Sequence, residues 1–498
     1  MMHGTSGSSP VEERAGRFLL EDPRTDVSPS FGSGSGSGSG SSSGSSSSTD
    51  DDFNPRQFLV QSADQILLRR LAWFLVPSFF QGPAAKDEAK LGPTAYLDGI
   101  RGVAAFALGL RRRLLYNGSA AVALFFAISG YALSYKPVKM IRNRSMRTGD
   151  FGAALSSMVF RRALRLYLPT VVSTGCIVIF LRLGLFEPTR AYAEDPTFFR
   201  HMTRPHFPRF DSGFGQCIDW VTNVGRSLDV FYSGHLGIGN AYDSVLWTIP
   251  IEYRSSLYLF LIYIGTSHLK TRFRIISLIL IIFITYRQGR WDFLMFLCGL
   301  ACVEWNYTCG VHADILAAAL PQSEKGEAEG PRLPLRTIAW NLVSILALYL
   351  LSQPIYCLDE TPGWVTLGSM IPEWWGDKIQ HRYWQCLGAV LFTLSVSHSA
   401  FWQRIFTSNL AQYLGKISFS LYLVHSRFTR WWQFLLQRFI FLYITGVEGI
   451  NYDYGFWLGT FFIVPGVICV ADVFCRAVDI PLVRFSKWVE VKLVNKDV

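Results

Sequence analysis

Three clusters of ionisable side chains stand in or beside apolar stretches of this chain, where a charge is costly unless it has a partner or a task. The first is Tyr96-Leu97-Asp98-Gly99-Ile100-Arg101-Gly102, the second Arg161-Arg162-Ala163-Leu164-Arg165, and the third Leu246-Trp247-Thr248-Ile249-Pro250-Ile251-Glu252-Tyr253. Asp98 and Arg101 are three residues apart, so on a helix they share a face and pair. Arg162 and Arg165 have the same spacing and present two guanidiniums, a geometry suited to phosphate oxygens. Glu252 has Arg254 nearby but not on its face, and is expected to face the bundle interior or a water-filled cavity as a candidate catalytic carboxylate. A fourth stretch, Leu414 to His425, reads as a helix with small residues on its packing face and a histidine at its end. Bland readings stand beside these: a structural ion pair, positive-inside anchoring, structural hydrogen bonding of Glu252, and an interfacial anchor at His425.

The elements that must position these groups are membrane helices. Half of the 498 residues are hydrophobic, 17% are charged and 15% aromatic, which excludes a chain disordered throughout. Residues 1–57 hold 4 basic and 8 acidic side chains, and the remainder is net +14. With residues 32–48 wholly Gly or Ser, the segment 1–57 reads as a disordered cytosolic tail. Residues 58–91 read as an amphipathic pre-membrane segment, 92–480 as the membrane domain and 481–498 as a basic C-terminal tail. The expected fold is all-α, a multi-pass transmembrane helical bundle of ten or eleven spans.

Uncharged runs of 22, 22 and 21 residues at 114–135, 337–358 and 383–403 each suffice to cross a bilayer. Weaker candidates lie at about 166–186, 244–264, 275–286, 291–308, 405–426, 429–447 and 454–471. The connection from Lys136 to Arg165 carries eight basic residues against Asp150, so it is expected in the cytosol together with the N-terminus. The excess positive charge then serves topology, and no nucleic-acid partner is required. Loop 187–243 falls outside. Parity beyond about residue 404 stays open, because Arg427 and Arg430 sit where the count expects the outside.

The nine cysteines show no zinc spacing, and no metal is expected. Cys217 and Cys357 are open to a disulfide across the outside loops. Asn306-Tyr307-Thr308 is a sequon at an expected cytosolic helix end, where it would go unused. No retention signal distinguishes endoplasmic reticulum from plasma membrane.

Taken together, YLDGIRG at 96–102, NGSAAVALFFAISGYALS at 117–134, RRALRLYLP at 161–169, LWTIPIEY at 246–253 and LGKISFSLYLVH at 414–425 resemble the membrane-bound acyltransferase 3 family, in its fungal wording. The resemblance implies an O-acyltransferase with a ten-helix core, moving an acyl group from acyl-CoA, a donor substrate rather than a resident cofactor, to a hydroxyl of a glycan or small lipophilic acceptor. It implies that Arg101 matches the arginine of the first motif, that Arg162 and Arg165 contact the donor's phosphates, and that Glu252 and Trp247 carry the fourth-span signature. Asp98 and Arg101 would position a histidine base.

The family places that histidine ten or eleven residues after the first arginine, and here Arg111 and Arg112 stand there. An arginine does not accept the acceptor's proton. The uncharged run before Arg111 spans only Gly102 to Leu110, so the first span reads as truncated. Either a coding segment between Gly109 and Arg113 is lost from the gene model, or the chain is a pseudoenzyme. Among the remaining histidines, His235 and His398 have no evident partner and His425 belongs to a family signature. The alternative from another class is a non-catalytic membrane transporter or scaffold, whose charged cavity would likewise hold Glu and Arg.

Overall fold

A computed structural model of the chain describes residues 68–81, 92–107, 118–143, 150–193, 195, 198, 207–230, 240–311, 334–355, 358–376 and 379–493. All regular structure among them is helical. The tail at 1–57, the run 108–117 with Arg111 and Arg112, His235 and Cys357 lie outside the described residues. Two compact units divide between Gly92 and Pro93.

In the first unit, residues 68–75 form a helix and Ser78–Phe80 a 3-10 turn. Pro77 cannot continue a helix, and the Gln81 amide donates to the carbonyls of Trp73 and Val76, each at 2.7 Å. Leu68, Leu71, Trp73 and Leu75 are all exposed, the surface of an element with no protein core of its own.

The second unit contains fifteen α-helices among the described residues. They are α1 (Ala95–Ala107), α2 (Gly118–Arg142), α3 (Asp150–Arg182), α4 (Glu187–Ala193), α5 (Gly213–Ser227), α6 (Thr248–Thr266), α7 (Thr271–Arg287) and α8 (Trp291–Thr308). After these come α9 (Pro334–Leu351), α10 (Trp364–Ser369), α11 (Tyr383–His398), α12 (Ala400–Phe406), α13 (Asn409–Ile440), α14 (Gly449–Phe474) and α15 (Ile480–Leu493). Among the described residues, three helical stretches are long and apolar enough to cross a membrane: Gly118–Arg142, Phe151–Arg182 and Gly449–Leu493.

Several boundaries depart from the sequence reading for local reasons. The run at 337–358 yields a helix that stops at Leu351, because Pro354 pushes the preceding residue out of helical geometry. The run at 383–403 breaks where Ser399 is extended, at φ −113° and ψ 112°. The two spans anticipated at 405–426 and 429–447 are one continuous helix through Ile440, about 48 Å long at 1.5 Å per residue. The segment at 481–498 is largely the helix α15, which packs on α3 through an Arg161–Glu490 contact of 3.2 Å.

Two close crossings organise the bundle. A Cβ at Gly102 would run into the backbone of Leu414 and Gly415, and one at Gly415 into the carbonyl of Asp98. Small residues thus let α1 and α13 approach backbone to backbone. Gly130 of α2 and Gly299 of α8 do the same, each facing the other helix's backbone. Around the second crossing lies the main core, with Ile128, Tyr131, Phe296, Leu297 and Val396 fully buried. Asn306 is also fully buried and donates to the Tyr131 hydroxyl at 2.9 Å, so the sequon asparagine is inaccessible in the fold.

One buried carboxylate gathers two cations, which offsets its desolvation. Glu304, 5% exposed, takes Arg142 at 2.6 Å and Arg274 at 2.9 Å. That joins the end of α2 and the start of α7 to the end of α8.

Candidate active site

The start of α6 is fixed by local chemistry. Asp243 caps the preceding turn by accepting from the Val245 amide at 3.0 Å. Pro250 occupies the first turn of α6, where a helix makes no use of the missing N–H. Glu252 and Ser256, four residues apart, then share one face, and the Ser256 hydroxyl donates to the Glu252 carbonyl at 2.6 Å.

That face meets α3. The Arg162 guanidinium reaches Glu252 Oε1 through Nη2 at 2.8 Å and Ser256 Oγ through Nε at 2.6 Å. From α2, the Ser129 hydroxyl donates to the same Oε1 at 3.1 Å. Arg162 and Glu252 side chains are 16% and 21% exposed, enough shielding to strengthen the pair while one edge stays reachable. Charge-assisted bonds of this kind hold both side chains in place.

Arg101 of α1 lies within electrostatic reach of Arg162. It contacts Asp98 loosely, at 3.7 Å, with Asp98 half exposed. Arg101 Nε is buried without an acceptor among the described residues. Two guanidiniums therefore lie near each other, Arg162 engaged by Glu252 and Arg101 held only loosely by Asp98, which leaves Arg101 Nε for a ligand oxygen. Arg165 follows Arg162 by one turn of α3 and is partly buried.

His425 lies on α13, which is tied to the start of α6 by Tyr422. The Tyr422 hydroxyl bonds the Val245 carbonyl at 2.5 Å and pairs closely with Thr248, and it is within reach of the Glu252 charge. His425 Nδ1 faces the carbonyls of Tyr422 at 2.8 Å and Leu421 at 3.2 Å. A carbonyl only accepts, so Nδ1 carries the proton and Nε2 is the basic nitrogen of the neutral ring. His398 instead stacks on Trp340, ring centroids 4.4 Å apart.

Of the residues the sequence singled out, Arg101, Arg162 and Glu252 come together, Asp98 lies at their margin and His425 one helix away. Ser129 and Ser256 were missed. Both carried a usable signal: Ser129 lies in the stretch 117–134, and Ser256 stands four residues beyond Glu252. Arg254 turns away from Glu252 and pairs with the fully buried Asp292 at 3.2 Å.

The model of the acyltransferase 3 family, described as an acyltransferase domain, matches residues 94–476. O-acetyltransferase PaAT-1 of Phomopsis amygdali is 29% identical over 472 residues, covering 85% of this chain and 89% of that protein. Acyltransferase clz18 of Cochliobolus lunatus is 30% identical, covering 63% and 68%. Acyltransferase R4 of a Phoma species is 26% identical, covering 74% and 80%. No solved structure matches. With its charged motifs gathered on α1, α3 and α6 and a match that takes in all of them, the chain belongs to the membrane-associated acyltransferase 3 family.

Proposed function

We propose that this acyltransferase moves an acyl group from acyl-CoA to a hydroxyl of a glycan or small lipophilic acceptor. The observation that carries the reading is the Arg162–Glu252 pair beside Arg101, whose Nε has no acceptor among the described residues, at the motif positions of the family. Arg162 and Arg165 are assigned to the donor's phosphates. In that assignment Glu252 orients Arg162, its Oε1 accepting from Arg162 and Ser129.

For transfer, a base removes the acceptor's hydroxyl proton as that oxygen attacks the thioester carbonyl. The new C–O bond forms, the C–S bond breaks, and CoA leaves as thiolate and takes up a proton. The base expected after Arg101 is replaced by Arg111 and Arg112, and His425, with Nε2 basic, is the candidate that the described residues offer. Our reading of Arg111 and Arg112 is a coding segment lost between Gly109 and Arg113, and an activity reduced accordingly; a genomic frame that restores no histidine there would make the chain a pseudoenzyme.

We place the chain across the endoplasmic-reticulum or plasma membrane with its N-terminus cytosolic. Counting α13 once, this reading has ten crossings and a cytosolic C-terminus. The deciding experiment is acyl-CoA binding to purified protein. Binding lost in Arg162→Ala/Arg165→Ala supports the assignment over a non-catalytic transporter or scaffold, and undiminished binding in that variant refutes the assignment of these arginines to the donor's phosphates.

A further inference from the structure

A second concentration of buried positive charge lies away from the Arg162–Glu252 pair, around Arg382. This residue immediately precedes α11 and is 5% exposed. Its guanidinium lies 4.2 Å from the centroid of the Trp291 ring and 5.3 Å from that of Trp247, and the two indoles are 6.2 Å apart in an edge-to-face arrangement. Cation–π contact holds the guanidinium between aromatic rings but satisfies none of its hydrogen-bond donors. Arg382 Nε and Nη1 are buried without an acceptor among the described residues, and so is the Trp291 indole nitrogen.

The charge around it is unbalanced in the same sense. Fully buried Asp292 is within electrostatic reach of Arg382, but its carboxylate is spent on Arg254 at 3.2 Å and Arg290 at 2.9 Å. Arg254 and Arg290 therefore occupy the carboxylate nearest in charge to Arg382. Neighbouring His381 adds no negative charge; burial, and then Arg382 itself, push it down to about 4, so it stays neutral near pH 7. Buried positive charge with orphaned donors is the signature of a site built for an anion.

The donors narrow the anion. A guanidinium fork matches two coplanar oxygens, and the two indoles beside it make the surroundings aromatic and apolar. Trp247 ties the site to the reaction centre, since it lies in the LWTIPIEY stretch five residues before Glu252 and is partly exposed. We propose that Arg382 and Trp291 form a carboxylate-binding subsite that anchors an acidic acceptor while its hydroxyl is acylated. The proposal rests on the acyltransferase reading for the identity of the occupant, and its chemistry is tested separately from the donor.

The test is equilibrium dialysis of the full-length protein in detergent, with radiolabelled benzoate as probe and benzamide as its uncharged counterpart. Expected are saturable benzoate binding, no competition by benzamide, and at least tenfold weaker binding in Arg382→Met. Trp291→Phe keeps the ring and loses the N–H, so it should weaken binding severalfold even where Arg382→Met fails to fold. Acyl-CoA binding is measured on the same samples; its retention by Arg382→Met shows an intact fold and a separate donor site. Absent benzoate binding, or equal binding by Arg382→Met or Trp291→Phe, overturns the subsite. Displacement of benzoate by CoA without its acyl group also overturns it, assigning the charge to donor phosphates instead.

Discussion

Arg162 Nη2 and Glu252 Oε1 lie 2.8 Å apart although 90 residues separate them in sequence, and Ser256 and Ser129 complete their hydrogen bonding. Helices α3 and α6 are locked at this point by charge rather than by apolar contact alone. Breaking one partner leaves the other charge partly buried and unpaired. Glu252→Gln is therefore expected to destabilise the fold by about 2–3 kcal/mol, below the 3–5 kcal/mol of fully enclosed pairs because some solvent reaches the site. Arg162→Ala should cost a similar amount. The double variant should lose less than the sum, and thermal unfolding in detergent that gives strict additivity would remove the coupling.

The glycine crossings give a sharper structural test. Gly102→Ala has nowhere to place its methyl group except into the backbone of α13, so it should cost about 1–3 kcal/mol or separate the two helices. Gly225→Ala is the control, because Gly225 lies in α5 with nothing within 4 Å of an added Cβ. There the substitution should stabilise by about 0.5–1 kcal/mol through helix propensity. Equal effects at the two positions would contradict the crossing.

Outside the spans, pH should act through Glu187. A hydrogen bond from Arg190 holds its carboxyl below the usual range, with Arg209 adding to the effect; the contacts are 3.0 Å and 3.3 Å. A depressed folded pKa stabilises above the unfolded value, about 4.3 for glutamate, and the contribution is lost as pH falls through the lower folded value. Wild type should thus melt above Glu187→Gln at pH 7, and the difference should vanish as the carboxylate is protonated. A gap that widens on acidification would reverse the assignment.

His425 yields a kinetic prediction. If Nε2 is the base, His425→Ala should keep acyl-CoA binding and lose turnover by 100-fold or more, within the usual range for general-base catalysis. The remaining rate should lose the pH dependence of an imidazole. Full turnover by the variant dismisses His425. Replacement of Tyr422 by Phe should have a smaller effect, since it removes the hydroxyl that fastens α13 to Val245 and Thr248 but not the imidazole.

By itself the sequence determined the class of solvent, the helical character and the family, because these follow from runs of uncharged residues and from motifs complete within a few positions. Asp98 and Arg101 were legible as a pair for the same reason, three residues on one helix. The tertiary structure decided the partners. Glu252 takes Arg162 and leaves Arg254 to Asp292, and Glu304 gathers Arg142 and Arg274 from two other helices. It also decided that 405–447 is mostly one helix instead of two, and that Arg382 stands between two indoles with donors to spare. Spacing along the chain fixes only which groups share a face; which face meets which is set by backbone crossings, as at Gly102 and Gly415 or Gly130 and Gly299, where the absence of a side chain is what brings distant charges within reach.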